Sequence, residues 1–176
     1  MNIADKKKQN NIAEYIIYMY QTEDLIRAFD CDMEQIRAYV LKHIPQAAED
    51  KEALLNWYQN VLEKMTSQGV IKTGHISDTQ AIVTDLEALK DELINQDEEF
   101  AAIYDKAKSH IQEMKAMAGI AMSDVQICLN GVYGLLLAKI NGRQVPDEIQ
   151  PALDQFGNVL SYLSYKYKQQ QFLNNN

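Results

Sequence analysis

The sequence predicts an all-α protein, a single-domain helical bundle of about seven helices around a buried N-terminal helix. The 176 residues include only 7 glycines and 3 prolines, so few positions interrupt a helix. Apolar residues recur three and four positions apart along most of the chain, which places them on one helical face. One stretch, from Ile12 to Ala28, is apolar on nearly every side, which is typical of a helix enclosed by others.

The first predicted helix runs from near Asp5 to about Phe29 and contains this apolar stretch. Between Ile12 and Tyr20, the one charged residue is Glu14. The stretch is shorter than the roughly 20 apolar residues that span a bilayer. We therefore expect a central core helix and no membrane segment.

Turn-forming residues separate the next helices. The second predicted helix follows Asp30 and Asp32, whose side chains suit N-caps, and ends at Pro45. The third covers about residues 48 to 68 and ends at Gly69. We expect residues 69–77 to form a plain loop, with a short extended crossover as the alternative.

Capping patterns, in which a Ser or Asn is followed three residues later by Gln or Glu, begin predicted helices four, five and six. They start at Ser77, Asn95 and Ser123. Predicted helix six, residues 124–140, is the second almost wholly apolar helix. Its Gly131 and Gly134 indicate that another helix approaches closely there, with a ligand as the alternative.

The seventh predicted helix begins after Pro146 and carries apolar residues spaced four, three, four, three and four apart. These are Ile149, Leu153, Phe156, Leu160, Leu163 and Tyr167. This seam indicates either a contact inside the bundle, which the pattern favours, or a contact between subunits. The polar residues 168–176 are expected to fray.

Net charge indicates which partners to expect, and cysteine content indicates the redox state of the protein. The formal net charge is -8 and no basic stripe is present, so neither nucleic acid nor an anionic membrane is an expected partner. Cys31 and Cys128 are far apart in sequence, as expected for reduced core residues. No apolar signal segment is present near the N-terminus, and we expect a cytoplasmic protein.

No catalytic or metal-binding signature is found. The sequence lacks the glycine-rich phosphate-binding motifs and the nucleophile elbow. His43, His75 and His110 are isolated, and neither cysteine has a second ligand nearby. We therefore expect no metal and no cofactor.

Three residues remain as candidate ligand-binding groups: Glu23, Arg27 and His110. Glu23 lies four residues after Met19 and seven after Ile16, in the middle of the apolar stripe of the first helix. We expect it to be mostly buried and bonded to Arg27, to a tyrosine hydroxyl or to a cation from a neighbouring helix. His110 is predicted on the inner face of helix five. Structural pairing is the simpler interpretation of both positions.

Three stretches carry a resemblance to a known family: IAEYIIYMYQTEDLIRA, WYQNVLEKMTSQGVIKTGHI and NGVYGLLLAKI. With them, the chain resembles an uncharacterised family of small all-helical, bacterial-type proteins, a domain of unknown function. The resemblance covers most of the chain. It implies a single-domain soluble protein and assigns no activity or site residue.

Two functions follow as hypotheses. The first is a non-enzymatic soluble helical protein that acts through protein–protein interaction, as a homodimer or with another protein. The alternative is a small-molecule-binding or hydrolytic bundle, with a pocket between predicted helices one, five and six. A pocket that gathers Glu23, Arg27 and His110 favours the second hypothesis, and separate ion pairs favour the first.

Overall fold

The computed structural model of the chain describes residues 3–44, 48–119 and 121–174. Within these ranges it contains eight α-helices and no β-strand, and it is 82% helical. The all-α prediction is therefore confirmed. None of these helices is both long and apolar enough to span a bilayer. Pro45, the expected end of the second helix, and residues 175–176 of the tail lie outside the described ranges.

The helices follow one another with short connections. They are α1 Ile3–Asn10, α2 Ile12–Ala28, α3 Met33–Tyr39, α4 Ala48–Ser67, α5 Ser77–Gln96, α6 Glu98–Ala118, α7 Asp124–Ile140 and α8 Gln150–Asn174, with a 3₁₀ turn at Leu41–His43. The described residues thus hold one α-helix more than predicted, because the first predicted helix is two helices. At the break, the Asn11 side chain accepts the backbone N–H of Glu14 at 3.2 Å, as an N-cap does.

The predicted caps at Asp32 and Ser123 are confirmed, whereas Ser77 is the first residue of α5 and the N–H of Gln80 bonds to the carbonyl of Ile76 instead. Asp32 accepts the N–H groups of Glu34 and Gln35 at the start of α3. Ser123 accepts that of Gln126, 3.1 Å away, at the start of α7. The segment from 69 to 76 is a loop, as expected.

The predicted cap at Asn95 was wrong. Asp97 caps α6 by accepting the N–H of Phe100 at 3.0 Å. Asn95 still belongs to α5, where its amide donates to the carbonyl of Asp91 at 2.8 Å. Two suitable capping residues stand close together here, and the aspartate adds a negative charge that suits a helix N-terminus.

The chain forms two compact units. The first consists of Met1–Lys6 and Tyr15–Ala81. Its core joins α2, α3, the 3₁₀ turn and α4 through Met19, Ile26, Ile36, Leu41, Leu54, Leu55, Tyr58, Val61 and Met65, with Ile76 from the following loop. In α2, only Glu14 and Ala28 are exposed, which confirms the prediction of a buried N-terminal helix.

The second unit consists of Lys7–Glu14 and Ile82–Asn176. Here α8 packs against both α6 and α7. The central seam residues of α8 are buried: Leu153, Phe156, Leu160 and Leu163. The seam is therefore a contact within the unit, as the sequence favoured. Towards its C-terminus, α8 continues as a helix through Asn174, beyond the point where fraying was expected.

Both cysteines are free thiols. Cys128 is fully buried, and burial raises the pKa of its thiol. Cys31 is only half-buried and has a positive φ of 62°, so it belongs to the turn before α3 rather than to the core interior.

The two glycines of α7 have different surroundings. A Cβ added at Gly131 would lie 2.7 Å from Cδ2 of Phe156, so α8 approaches the α7 backbone closely at this point. A Cβ added at Gly134 would have no heavy atom within 4 Å. The predicted close helix contact is confirmed at Gly131 and wrong at Gly134 for contacts within the described chain.

We therefore expect opposite effects from the same substitution. Gly131→Ala should destabilise the protein by about 1–3 kcal/mol, because Phe156 must move to admit the methyl group. Gly134→Ala should be neutral or stabilising by up to about 1 kcal/mol, because alanine favours the helix. Urea unfolding followed by circular dichroism measures both. Equal destabilisation by the two variants would contradict the assigned contact.

Candidate functional site

The candidate site lies where α2 meets the loop between α4 and α5. Glu23 of α2 has no exposed surface. Its Oε2 lies 2.6 Å from Nδ1 of His75, and its Oε1 accepts the backbone N–H of Ile76 at 3.1 Å. Both partners belong to the loop, so one buried carboxylate holds two consecutive loop residues.

The imidazole of His75 is held in one orientation. Its ring stacks on that of Tyr20, with centroids 3.6 Å apart and planes inclined by 18°. Tyr20 is itself fully buried, and its hydroxyl accepts from the amide of Gln80 at 3.0 Å. Since a carboxylate can only accept, Nδ1 of His75 carries the proton that binds Glu23.

The second ring nitrogen of His75 has no hydrogen-bond partner among the described residues. The side chain is 26% exposed, so part of this ring reaches solvent. A carboxylate that binds one nitrogen and leaves the other free is the arrangement that orients a histidine for proton transfer or ligand binding. However, no hydroxyl or thiol of the described residues is bonded to this imidazole.

Arg27, one turn after Glu23, binds the same loop through its backbone. Its Nε donates to the carbonyl of Ile71 at 3.1 Å, and its Nη2 donates to those of Val70, at 2.9 Å, and Gly74. Its Nη1 lies 2.8 Å from a carboxylate oxygen of Asp24. The guanidinium therefore satisfies three loop carbonyls that have no regular secondary structure to receive them.

These contacts confirm one half of the Glu23 prediction and correct the other. Glu23 is buried, as its place on the apolar stripe indicated. Its partner is not Arg27 but His75, 52 positions later in sequence. The sequence signal for this partner was weak, because His75 stands in the least helical segment and has no periodic pattern around it.

His110, predicted on the inner face of the fifth helix, is half-buried. It lies on α6 in the second unit, with 33% of its side chain exposed. Its nearest acidic partner is Glu113, with 4.0 Å between Nδ1 and Oε2. Glu23, Arg27 and His110 thus each have their own partners, and Glu23 and Arg27 share only the loop.

A second polar cluster, in the second unit, was missed by the sequence analysis. Lys90 of α5 is almost fully buried, and its Nζ lies 2.6 Å from Glu87, 2.9 Å from Asp124 and 3.0 Å from Asp91. Glu87 also accepts the N–H of Val125 at 2.9 Å. The signal was present in the sequence, since Lys90 interrupts the apolar face of its helix four positions after Leu86.

Asp124 is the centre of this cluster. Besides Lys90, it binds the hydroxyl of Tyr104 at 2.5 Å and the ammonium of Lys115. Burial alone would raise the pKa of Asp124, but the hydrogen bonds from Lys115, Tyr104 and Lys90 lower it to about 2. The carboxylate therefore stays ionised, and it ties α5 and α6 to the first turn of α7.

Neither cluster forms a metal site. Within the described residues, no three His, Cys, Asp or Glu side chains are grouped so that they could hold an ion. What both clusters do is satisfy buried charge and join segments that are distant in sequence.

The comparisons with known proteins give one match. A family model described as Domain of unknown function (DUF4924) matches residues 1–173, which confirms the resemblance seen in the sequence. No curated protein and no solved structure matches the chain.

We expect Glu23→Ala to cost about 3–5 kcal/mol of unfolding free energy, because it removes the acceptor of two loop groups from a buried position. Asp24→Ala is the matched control on the same helix. Its side chain is 45% exposed, so its loss should cost at most about 1 kcal/mol. Thermal melts followed by circular dichroism compare them. A Glu23→Ala variant that melts within about 1 °C of the parent would show that the buried contact is absent.

Asp124 should make stability depend on acid pH. Its folded-state pKa of about 2 lies below the ordinary value of 3.8, so its contribution is present above that value and is lost as pH falls through the folded pKa. Asp124→Asn should therefore cost about 2 kcal/mol near pH 7. The gap between variant and parent should close towards about pH 2.

Urea unfolding at several pH values measures this difference. Asp91→Asn is the control, since Asp91 also binds Lys90 but is 68% exposed, and its effect should stay below about 1 kcal/mol. A gap between Asp124→Asn and the parent that did not change with pH would show that Asp124 is not held ionised by the cluster.

Proposed function

The chain belongs to the DUF4924 family, and we propose that it is a non-enzymatic helical protein that acts by binding another protein. The observation that carries the proposal is that each of the polar candidates has partners of its own. Glu23 binds His75 and a loop N–H, Arg27 binds loop carbonyls and Asp24, and His110 faces Glu113. No substrate is required to explain any of these buried or half-buried charges.

A second observation supports a binding surface. The second half of α7, residues 132–140, reads VYGLLLAKI, yet none of these nine residues is fully buried. Apolar surface of this kind is unfavourable in water and is a common feature of protein interfaces. The net charge of -8 supports a protein rather than a nucleic-acid partner.

We also propose a cytoplasmic location and a single folding domain. Two free cysteines in one chain are consistent with a reducing compartment. Each compact unit takes residues from two separate segments, since Lys7–Glu14 belongs with Ile82–Asn176. An arrangement in which the chain passes between the units more than once favours one domain over two independent ones.

The alternative function is small-molecule binding or hydrolysis, and one observation favours it. The Glu23–His75 pair leaves a partly exposed imidazole nitrogen with no described partner. Such a pair can act as a general base when a substrate lies within reach. The candidate residue for this alternative is then His75 rather than His110.

A thermal-shift screen with a metabolite library separates the two functions. We expect no compound to raise the melting temperature of the parent by more than the scatter of the assay. A compound that raises it by several degrees in the parent, and not in a His75→Gln variant, would overturn the proposed function in favour of the alternative. A Lys72→Gln variant, altered in the same loop outside the Glu23 and Arg27 contacts, is the control.

A further inference from the structure

The second half of α7 differs sharply from the first half. Val125, Cys128 and Leu129 have no exposed surface. Residues 132–140, here called the α7 stretch, are half-buried or exposed throughout, and Ile140 is 63% exposed. The stretch contains one charged residue, Lys139, so it has no face that prefers water.

One apolar face of α7 extends beyond the part of the helix that the rest of the chain buries. Val125, Leu129, Val132, Leu136 and Ile140 follow one another at spacings of four, three, four and four, so they share one side of α7. On this face, Val125 and Leu129 are fully buried, whereas Ile140 is mostly exposed. The apolar pattern therefore extends beyond what the chain itself buries.

Gly134 lies on the opposite side of α7 from Val132 and Leu136, because it is two residues from each of them. Glycine costs a helix interior about 1 kcal/mol relative to alanine. At Gly131 the close approach of Phe156 explains that cost, but no described heavy atom lies within 4 Å of a Cβ placed at Gly134. Gly134 is exposed, and Ala138 follows four residues later on the same side.

Charges of both signs follow one another at the C-terminal end of the stretch. Lys139 and Arg143 stand at its C-terminal end, and Asp147 and Glu148 follow in the connection to α8. All four are exposed, and none forms an ion pair with a described residue. A partner of one charge sign would leave one pair unmatched. A surface that presents both signs beside an apolar centre is complementary to itself under two-fold symmetry.

We infer that the α7 stretch is a self-association surface whose occupant is a second copy of this chain. Lys139 and Arg143 of one copy face Asp147 and Glu148 of the second copy, and the apolar residues of the two stretches pack beside these charges. This rests on the proposed function, which requires a protein partner, and it specifies that partner. The seam of α8 is not available for the same contact, because Leu160 and its neighbours are buried inside the unit.

Sedimentation velocity of the full chain tests self-association. Over roughly 1–100 µM, we expect the mass to rise from 20.1 kDa to twice that value. Ile140→Lys should leave a folded monomer by circular dichroism and weaken association at least about tenfold. Met117→Lys is the control, since Met117 is 86% exposed on α6, and it should associate like the parent.

A charge-exchange experiment identifies the partner as a second copy. One variant carries Lys139→Glu and Arg143→Glu, and the other carries Asp147→Lys and Glu148→Lys. Each alone should associate at least about tenfold more weakly than the parent, because like charges then meet twice across the axis. Mixed in equal amounts, the two should form a mixed dimer of near-parental affinity.

The outcomes separate this inference from the proposed function. A parent that stays monomeric, an Ile140→Lys variant that still dimerises, or charge variants that fail to combine would each overturn the second copy as the occupant. Those results would leave a different protein as the partner under the proposed function. A compound whose binding depends on His75 would instead overturn the proposed function, whatever the association state.

Discussion

The carboxylate of Glu23 is a charge with no access to water, and the first unit depends on how that charge is satisfied. Leaving it unpaired would cost several kcal/mol. Its two oxygens accept hydrogen bonds from the imidazole of His75 and from the backbone N–H of Ile76. One turn along α2, Arg27 does the reverse and donates to loop carbonyls. Glu23 therefore binds an imidazole and a backbone N–H of the loop, and Arg27 binds its backbone carbonyls. The loop has no regular secondary structure that would satisfy these groups.

This arrangement also determines where α5 begins. The loop between α4 and α5 passes over α2, and Ile76 completes the core of the first unit immediately before α5 starts at Ser77. The ring of Tyr20 stacks on the imidazole of His75, and its hydroxyl accepts a hydrogen bond from the side-chain amide of Gln80 in the first turn of α5. A loop held at both ends by buried groups is ordered by its surroundings rather than by its own sequence.

The sequence correctly predicted features that depend on residues within one helical turn or on the periodic spacing of apolar residues. The caps at Asp32 and Ser123 were of this kind, as was the burial of Glu23 from its place on an apolar stripe. The partner of Glu23 could not be predicted, because 52 residues separate it from His75 and no local pattern joins them. Lys90 and Asp124 are 34 residues apart and were missed for the same reason.

The glycines of α7 show the same limit at a finer scale. Gly131 and Gly134 have equivalent positions in the sequence pattern, and both indicated a close helix. Only the location of Phe156 on α8, a tertiary fact, distinguishes the glycine that is required from the one that has no described neighbour. Likewise, the regular seam of α8 suggested a subunit contact as one alternative, yet its central residues are used within the unit.

The buried charged side chains of both units have bonding partners, and they differ in this from the exposed charges at the end of α7. Buried charge is paired in both units, by His75 for Glu23 and by three carboxylates for Lys90. These pairs stabilise the fold and have no need of a further molecule. At the C-terminal end of α7, Ile140 is 63% exposed, and Lys139, Arg143, Asp147 and Glu148 form no ion pair with a described residue. An unpaired surface charge is well solvated, whereas exposed apolar surface is unfavourable in water. In the dimer that we propose, the apolar stretch therefore supplies the free energy of association and the charges supply its specificity.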